Sequence, residues 1–401
     1  MKTAAIICEY NPFHNGHRYQ IEQIRKQLHA DHIIAVMSGD FVQRGTPAFC
    51  DKYARAAFAL HNGIDLVLEL PVCYAGSSAE FFAFGGISLL NALHCVDYLV
   101  FGTESASLAP LSVCAKLFTE EPVEYRRLLK QQLKCGASFP AARAYAASQA
   151  AGMDLSGFLT QPNNILGIEY LKALLRCRSE IRPYAIQRTG AGYHDINLHP
   201  VASATGIRRE MLTNGVKEEL HPTVPDDVFS YFKTSFGKTF PITWDDFKDM
   251  LYYQLITEPH PERYLDHHPE LMDRIVKNIR NYPDIETLIA NVKTKNFTYA
   301  RISRYLLHLM LKITPTEASA PCTYAKILGI KKSHSQLIRH LHHSSDIPVI
   351  QKISQYPAHL EGNALYSFEQ TLTATTLYRY AVGKKYGTSQ ASELSQPLLI
   401  V

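Results

Sequence analysis

The chain reads as an α/β protein: a Rossmann-like, doubly wound parallel sheet followed by a second, mainly α-helical domain. Three observations predict this. Four short apolar runs, Ala4 to Cys8, Ile33 to Met37, Leu66 to Leu70 and Tyr98 to Phe101, alternate with helical periodicity around residues 17–29, 52–61 and 78–93, as repeated β/α units require. Three of these runs end in polar or glycine-bearing loops, Ser38-Gly39-Asp40, Glu69-Leu70-Pro71 and Gly102-Thr103-Glu104, and the carboxyl ends of parallel strands are where such sheets bind ligands. At 401 residues the chain also exceeds the usual size of one domain.

The first strand carries the strongest signal. It ends in Ile7-Cys8-Glu9-Tyr10-Asn11-Pro12-Phe13-His14-Asn15-Gly16-His17, where Asn11-Pro12 breaks the strand and the next residues open a helix whose apolar positions are Tyr19, Ile21, Ile24 and Leu28. A strand-to-helix loop aims backbone N–H groups and the positive end of the helix dipole at an anion. Gly16 admits a phosphate close to the backbone, and the imidazoles of His14 and His17 can donate to oxygens whose charge grows during displacement at phosphorus. A bare HxxH pair is also compatible with a plain polar helix start. Strand, turn, glycine and helix together favour a phosphate site with His14 and His17 as its catalytic pair.

Along the rest of the chain the signals thin out. Asp40 and Glu104 are strand-end carboxylates open to three roles: holding Mg²⁺ through water, accepting ribose hydroxyls, or capping. Lys52 and Arg55 belong either to a solvated helix face or to a face approaching the ligand. After Ser105 the pattern is helical to about Ala150, an insertion or lid beside the sheet. Pro162-Asn163-Asn164 then caps a helix, Pro183 to Gln187 forms another strand, and Arg188 follows it at the head of the glycine-rich loop Thr189 to Asp195. In Ser203-Ala204-Thr205-Gly206-Ile207-Arg208, Ser203 or Thr205 either caps the next helix or, with Arg208, holds outer phosphates. The turn-rich His221 to Pro225 marks the expected boundary, giving a catalytic domain over 1–222 and a helical one over 226–401 with one short β-like piece at Ile347 to Ile350.

Composition narrows the class. No run of about 18 apolar residues exists and the N-terminus turns polar early, so a cytoplasmic protein without membrane attachment is expected. The eight cysteines form no CxxC and lie mostly in apolar runs, favouring free thiols and no structural metal. The net charge of +4 is small, but residues 270–345 hold twelve Lys or Arg against five Asp or Glu, with aromatics interleaved in Lys293-Thr294-Lys295-Asn296-Phe297-Thr298-Tyr299-Ala300-Arg301. Basic groups neutralise phosphates and rings stack on unpaired bases, so Lys293, Lys295, Arg301, Lys331 and Lys332 are candidate RNA contacts, with a solvated helix face as the plainer alternative.

His14-Asn15-Gly16-His17 together with Ser203 to Arg208 resembles the HxGH nucleotidylyltransferase superfamily. Further matches, Met37 to Phe41, Asp65 to Pro71, Phe101 to Glu104, Pro162 to Gly167 and Gly190 to Asp195, are similar to the bacterial tRNA(Met) cytidine acetate ligase family over nearly the whole chain. The resemblance implies a two-step reaction: ATP and acetate give acetyladenylate and pyrophosphate, and the acetyl group passes to the exocyclic amine of the wobble cytidine in elongator tRNA(Met). It implies ATP held by Ile7 through Arg18, Tyr19 and Gln20 and by Gly102, Asn163 and Arg188, with tRNA(Met) and acetate as partners and no DNA; the charge on the departing pyrophosphate calls for Mg²⁺ beside the histidines and Arg188. Ala204 departs from the superfamily, where a second serine is common. The competing readings are a small-molecule adenylyltransferase and an inert RNA-binding protein.

Overall fold

The computed structural model describes residues 2–104, 107–188, 203–280 and 282–401; the loop Thr189 to Asp195 lies outside them. Ten strands are present among these residues: β1 Thr3–Cys8, β2 His32–Ser38, β3 Phe41–Val42, β4 Thr46–Pro47, β5 Leu66–Leu70, β6 Tyr98–Thr103, β7 Arg182–Gln187, β8 Ala325–Ile330, β9 Val349–Ile350 and β10 Leu399–Ile400. Eight of them build one sheet in the order β10-β8-β5-β2-β1-β6-β7, with β9 beside β8, and β3 and β4 form a separate hairpin. The chain winds outward from β1 through β2 to β5, then returns to lay β6 on the other side of β1. That reversal opens a crevice between the carboxyl ends of β1 and β6.

The strands are short apolar runs because both faces of the sheet are covered. Successive side chains point to opposite faces, so Ala5, Ile7, Ile34, Val36, Leu66, Leu68, Leu99 and Phe101 pack into one core with helices Ala79–Ala92 and Pro162–Arg176. Ala4, Ile6, Ile33, Ala35, Met37, Val67 and Val100 pack into the other with α1 (Asn15–Leu28) and α2 (Lys52–His61). Gly86 lets helix and sheet approach closely, since a Cβ there would stand 2.5 Å from Ile7 Cδ1.

One feature differs from the sequence reading and another matches it. The boundary at residues 222–226 does not end the sheet: β8 pairs antiparallel with β5, Leu66 opposite Ile330, and β10 pairs parallel with β8. The part of the chain beyond 226 is thus mainly helical but also supplies one flank of the main sheet. The helical segment after residue 107 is an insertion packed into the first core through Leu111, Cys114, Phe118, Ala146 and Ala147. All eight cysteines are free, and no helix among the described residues is long and apolar enough to cross a membrane.

Candidate active site

The loop after β1 is fixed from below by groups that are themselves buried. Arg55 of α2 is wholly buried and donates to four carbonyls: Glu9 O at 2.6 Å, Cys50 O at 3.0 Å, Ser38 O at 3.1 Å and Gly39 O. Glu9 Oε1 accepts the Gln43 N–H at 2.9 Å and Asn11 Oδ1 the Phe49 N–H at 2.7 Å. The ends of β1 and β2 and the start of α2 are thereby clamped together. Tyr10, at φ +48°, turns the chain and stacks edge-on against Phe13 and His17, with ring centroids 4.9 and 4.8 Å away. Ile7 and Cys8 serve the core; burial pushes the Cys8 thiol up, so it stays protonated.

His14 and His17 face each other with ring centroids 3.6 Å apart and planes 20° apart. They also form the capping box of α1: His14 Nδ1 accepts the Gly16 N–H at 3.1 Å, and His17 Nδ1 accepts the His14 N–H at 3.2 Å. A neutral imidazole that accepts at Nδ1 carries its proton at Nε2. Burial, then the cations of Arg188 and Arg208, push the His14 pKa down to about 3; burial, then His14 and Arg188, hold His17 well below the ordinary range. Both rings are therefore neutral at physiological pH. Each presents one Nε2–H donor at the N-terminus of α1, where donors for phosphate oxygens belong.

The crevice's second wall comes from β6, β7 and the helix Pro162–Arg176. Gly102 leaves room for Arg188, whose Cγ would stand 3.1 Å from a Cβ at that position. Arg188 Nη1 donates to Asn163 Oδ1 at 3.4 Å, and Asn163 Nδ2 donates to Glu104 Oε1 at 2.7 Å. The three residues carried over from the family resemblance, Gly102, Asn163 and Arg188, therefore meet at one spot beside the histidines. On the opposite side Ser203 Oγ accepts the Gly206 N–H at 3.1 Å and caps the helix Ala204–Asn214. Arg208 bonds to Asn11 O and, at 3.3 Å, to Thr205 Oγ1. This pins a second helix N-terminus over the β1 loop.

Other expected residues have different placements. Asp40 is buried, accepts the Lys52 N–H at 3.1 Å and lies 3.7 Å from Lys52 Nζ. Lys52 in turn sits in a buried group with Glu69 at 2.7 Å and Glu393 at 2.5 Å, so it is neither solvated nor aimed at the crevice. Glu104 accepts N–H groups of Asn163 and Asn164 at 3.3 and 3.0 Å and caps their helix. Asp40 and Glu104 are both engaged by protein groups, so neither fits a direct Mg²⁺ ligand. Arg18 is exposed and pairs with Glu22 at 2.9 Å on the outer face of α1, while Tyr19 and Gln20 are half-buried.

The basic residues separate into two groups. Ser303 Oγ donates to Gly45 O at 3.0 Å in the hairpin that follows β2, which puts the start of helix Tyr299–Leu311 on the crevice edge of the sheet. Lys293 and Lys295 are exposed just ahead of it, and the Arg301 guanidinium lies 5.3 Å from the Phe297 ring. Lys331 and Lys332 instead follow β8, whose antiparallel course takes them to the opposite edge, where the Lys331 N–H donates to Asp65 O at 2.9 Å. The pair does not share a surface with the histidines.

The comparisons with known proteins agree with this geometry. A family model described as HIGH Nucleotidyl Transferase matches residues 1–393. The tRNA(Met) cytidine acetate ligase of Caldanaerobacter subterraneus subsp. tengcongensis is 39% identical over 388 residues, covering 95% of this chain and 96% of that protein. The protein of the same name from Clostridium acetobutylicum is 36% identical over 370 residues, covering 89% and 91%. A crystal structure of Thermotoga maritima TmcAL without ligand is similar over the full length of both chains, with a TM-score of 0.92 at 30% identity. One with alpha-thio ATP bound gives a TM-score of 0.91 at 30% identity over the same coverage. The chain belongs to the tRNA(Met) cytidine acetate ligase family, within the HIGH nucleotidyl transferases.

Proposed function

We propose that this chain is an ATP-dependent ligase that acetylates the wobble cytidine of elongator tRNA(Met). The observation that carries the reading is the pair of neutral, stacked imidazoles at the β1–β6 crevice, flanked by Arg188 and Arg208, in a chain with full-length similarity to ligases of that name. An acetate oxygen attacks the α-phosphorus of ATP; the bond to pyrophosphate breaks and a mixed anhydride forms. His14 and His17 donate from Nε2 to phosphate oxygens as charge develops, and the guanidiniums with the two helix N-termini stabilise the departing pyrophosphate. The cytidine amine, whose lone pair is delocalised into its ring, then attacks the acetyl carbon; AMP leaves and the amine loses a proton.

Pyrophosphate leaves before the acyl transfer, and water must be kept from the anhydride. We assign RNA contact to Lys293, Lys295 and Arg301, which share the crevice edge, in preference to Lys331 and Lys332. Mg²⁺ would enter with the triphosphate. Substrates of this kind place the reaction in the cytoplasm. Incubation with radiolabelled acetate, ATP and bulk tRNA tests the proposal: label in elongator tRNA(Met) is expected, and pyrophosphate release without RNA labelling would instead favour a small-molecule adenylyltransferase.

A further inference from the structure

At the sheet edge opposite the crevice, three side chains with metal-binding donors converge: His32 at the start of β2, Asp65 just before β5 and His334 just after β8. Their donor atoms lie within 4.8 Å of one another, and His334 Nε2 is 3.6 Å from Asp65 Oδ1. The register makes this meeting. Ile34 pairs with Leu66 and Leu66 with Ile330, so the residues flanking those positions share one corner.

Two of the donors are buried and lack hydrogen bonds. Asp65 has no exposed surface; its Oδ2 takes the Arg25 guanidinium and the Ile33 N–H at 2.8 Å, while Oδ1 accepts no hydrogen bond. His32 is 4% exposed and its Nδ1 has no partner. Leaving a buried polar atom without a hydrogen bond is costly, so two side by side need a physical reason. Lys331 Nζ stands 3.9 Å from Asp65 Oδ1, marking this corner as a place for positive charge.

We propose that His32, Asp65 and His334 bind a divalent cation of the zinc type, with water as the fourth ligand. Two imidazole nitrogens and one carboxylate suit Zn²⁺ and related transition ions, whereas Mg²⁺ and Ca²⁺ prefer all-oxygen sites. His334, 25% exposed at its side chain, is the least buried of the three donors and the one with most room to adjust toward an ion. Lys331, 26% exposed at its side chain, swings to water as the ion arrives. The bound ion joins β2 and the start of β5 to the turn after β8, tying early sheet to late chain.

Zinc titration of the EDTA-stripped full-length protein, read by calorimetry and thermal unfolding, tests the assignment. One saturable equivalent that raises the unfolding temperature is expected. His334→Ala should weaken it by at least about tenfold, the loss that even outer-sphere partners carry. Lys331→Ala, which removes the competing ammonium, should tighten it. Equal zinc affinity in His334→Ala and wild type, unchanged or weaker affinity in Lys331→Ala, or no saturable equivalent in wild type would overturn the site.

Discussion

Replacing His14 with Asn separates the two jobs of that side chain. In the structure Nδ1 accepts the Gly16 N–H at 3.1 Å as the cap of α1, which leaves the proton on Nε2, the atom proposed to donate to phosphate. An asparagine Oδ1 sits on the same branch as Nδ1 and takes the same N–H; Asn is among the strongest N-caps, so helix stability should change by less than about 1 kcal/mol. The Nε2–H has no counterpart in Asn. A lost donor to developing oxyanion charge typically costs about 2.7–4 kcal/mol, a fall of roughly 10²–10³ in rate. His17→Asn should behave alike, its Oδ1 keeping the 3.2 Å bond from the His14 N–H. Because the rings are stacked at 3.6 Å and act on one ligand, the double variant should lose less than the sum of the two single losses. The assay is acetate-dependent exchange of labelled pyrophosphate into ATP, run beside thermal unfolding. Wild-type exchange in stably folded His14→Asn would refute the donor role.

The same imidazoles give a pH signature. Both are neutral in the folded chain, His14 down to about pH 3, whereas in the unfolded chain they protonate near pH 6.5. Between those limits the unfolded state binds more protons, so their contribution is complete above about pH 6.5 and falls as the pH drops, by at most roughly 1.4 kcal/mol per pH unit for each. Denaturant unfolding at pH 7 and pH 5 should show a flatter dependence in the His14→Asn/His17→Asn protein; an identical dependence contradicts the assignment. Replacing Lys293, Lys295 and Arg301 with Ala should weaken tRNA binding and reduce its salt dependence, while Lys331→Ala/Lys332→Ala should change neither; the reverse pattern in filter binding would move the RNA surface. Arg55→Met removes the guanidinium that four carbonyls share and should destabilise the protein by about 3 kcal/mol or more in denaturant unfolding.

The β1 loop was legible because its information is local: strand, proline turn, glycine and helix start lie within eleven consecutive residues, Ile7 to His17. What escaped depends on distant partners. Lys52 and Arg55 look like ordinary helix-surface cations, and only the carbonyls and carboxylates supplied by β1, β2, β5 and Glu393 make their burial tolerable. Strand β8 pairs with β5 across more than two hundred residues of chain, and a six-residue run with a lysine in it, embedded in helical sequence, does not reveal such a pairing. In sequence Ser203 fits a cap or a phosphate ligand equally; in the structure its Oγ caps the helix that carries Arg208. Glu104 shows the same economy of roles, since it holds Asn163, which in turn holds Arg188. The zinc-type cluster was invisible because cysteine spacing carries no hint of two histidines and an aspartate brought together from residues 32, 65 and 334.

A crystal structure of this protein soaked with a nonhydrolysable ATP analogue tests the central claim most directly. The triphosphate should lie between the carboxyl ends of β1 and β6, with the Nε2 atoms of His14 and His17 within hydrogen-bonding distance of its oxygens and Arg188 alongside. Density for the nucleotide in any other cavity, with both imidazoles facing water, would contradict the account.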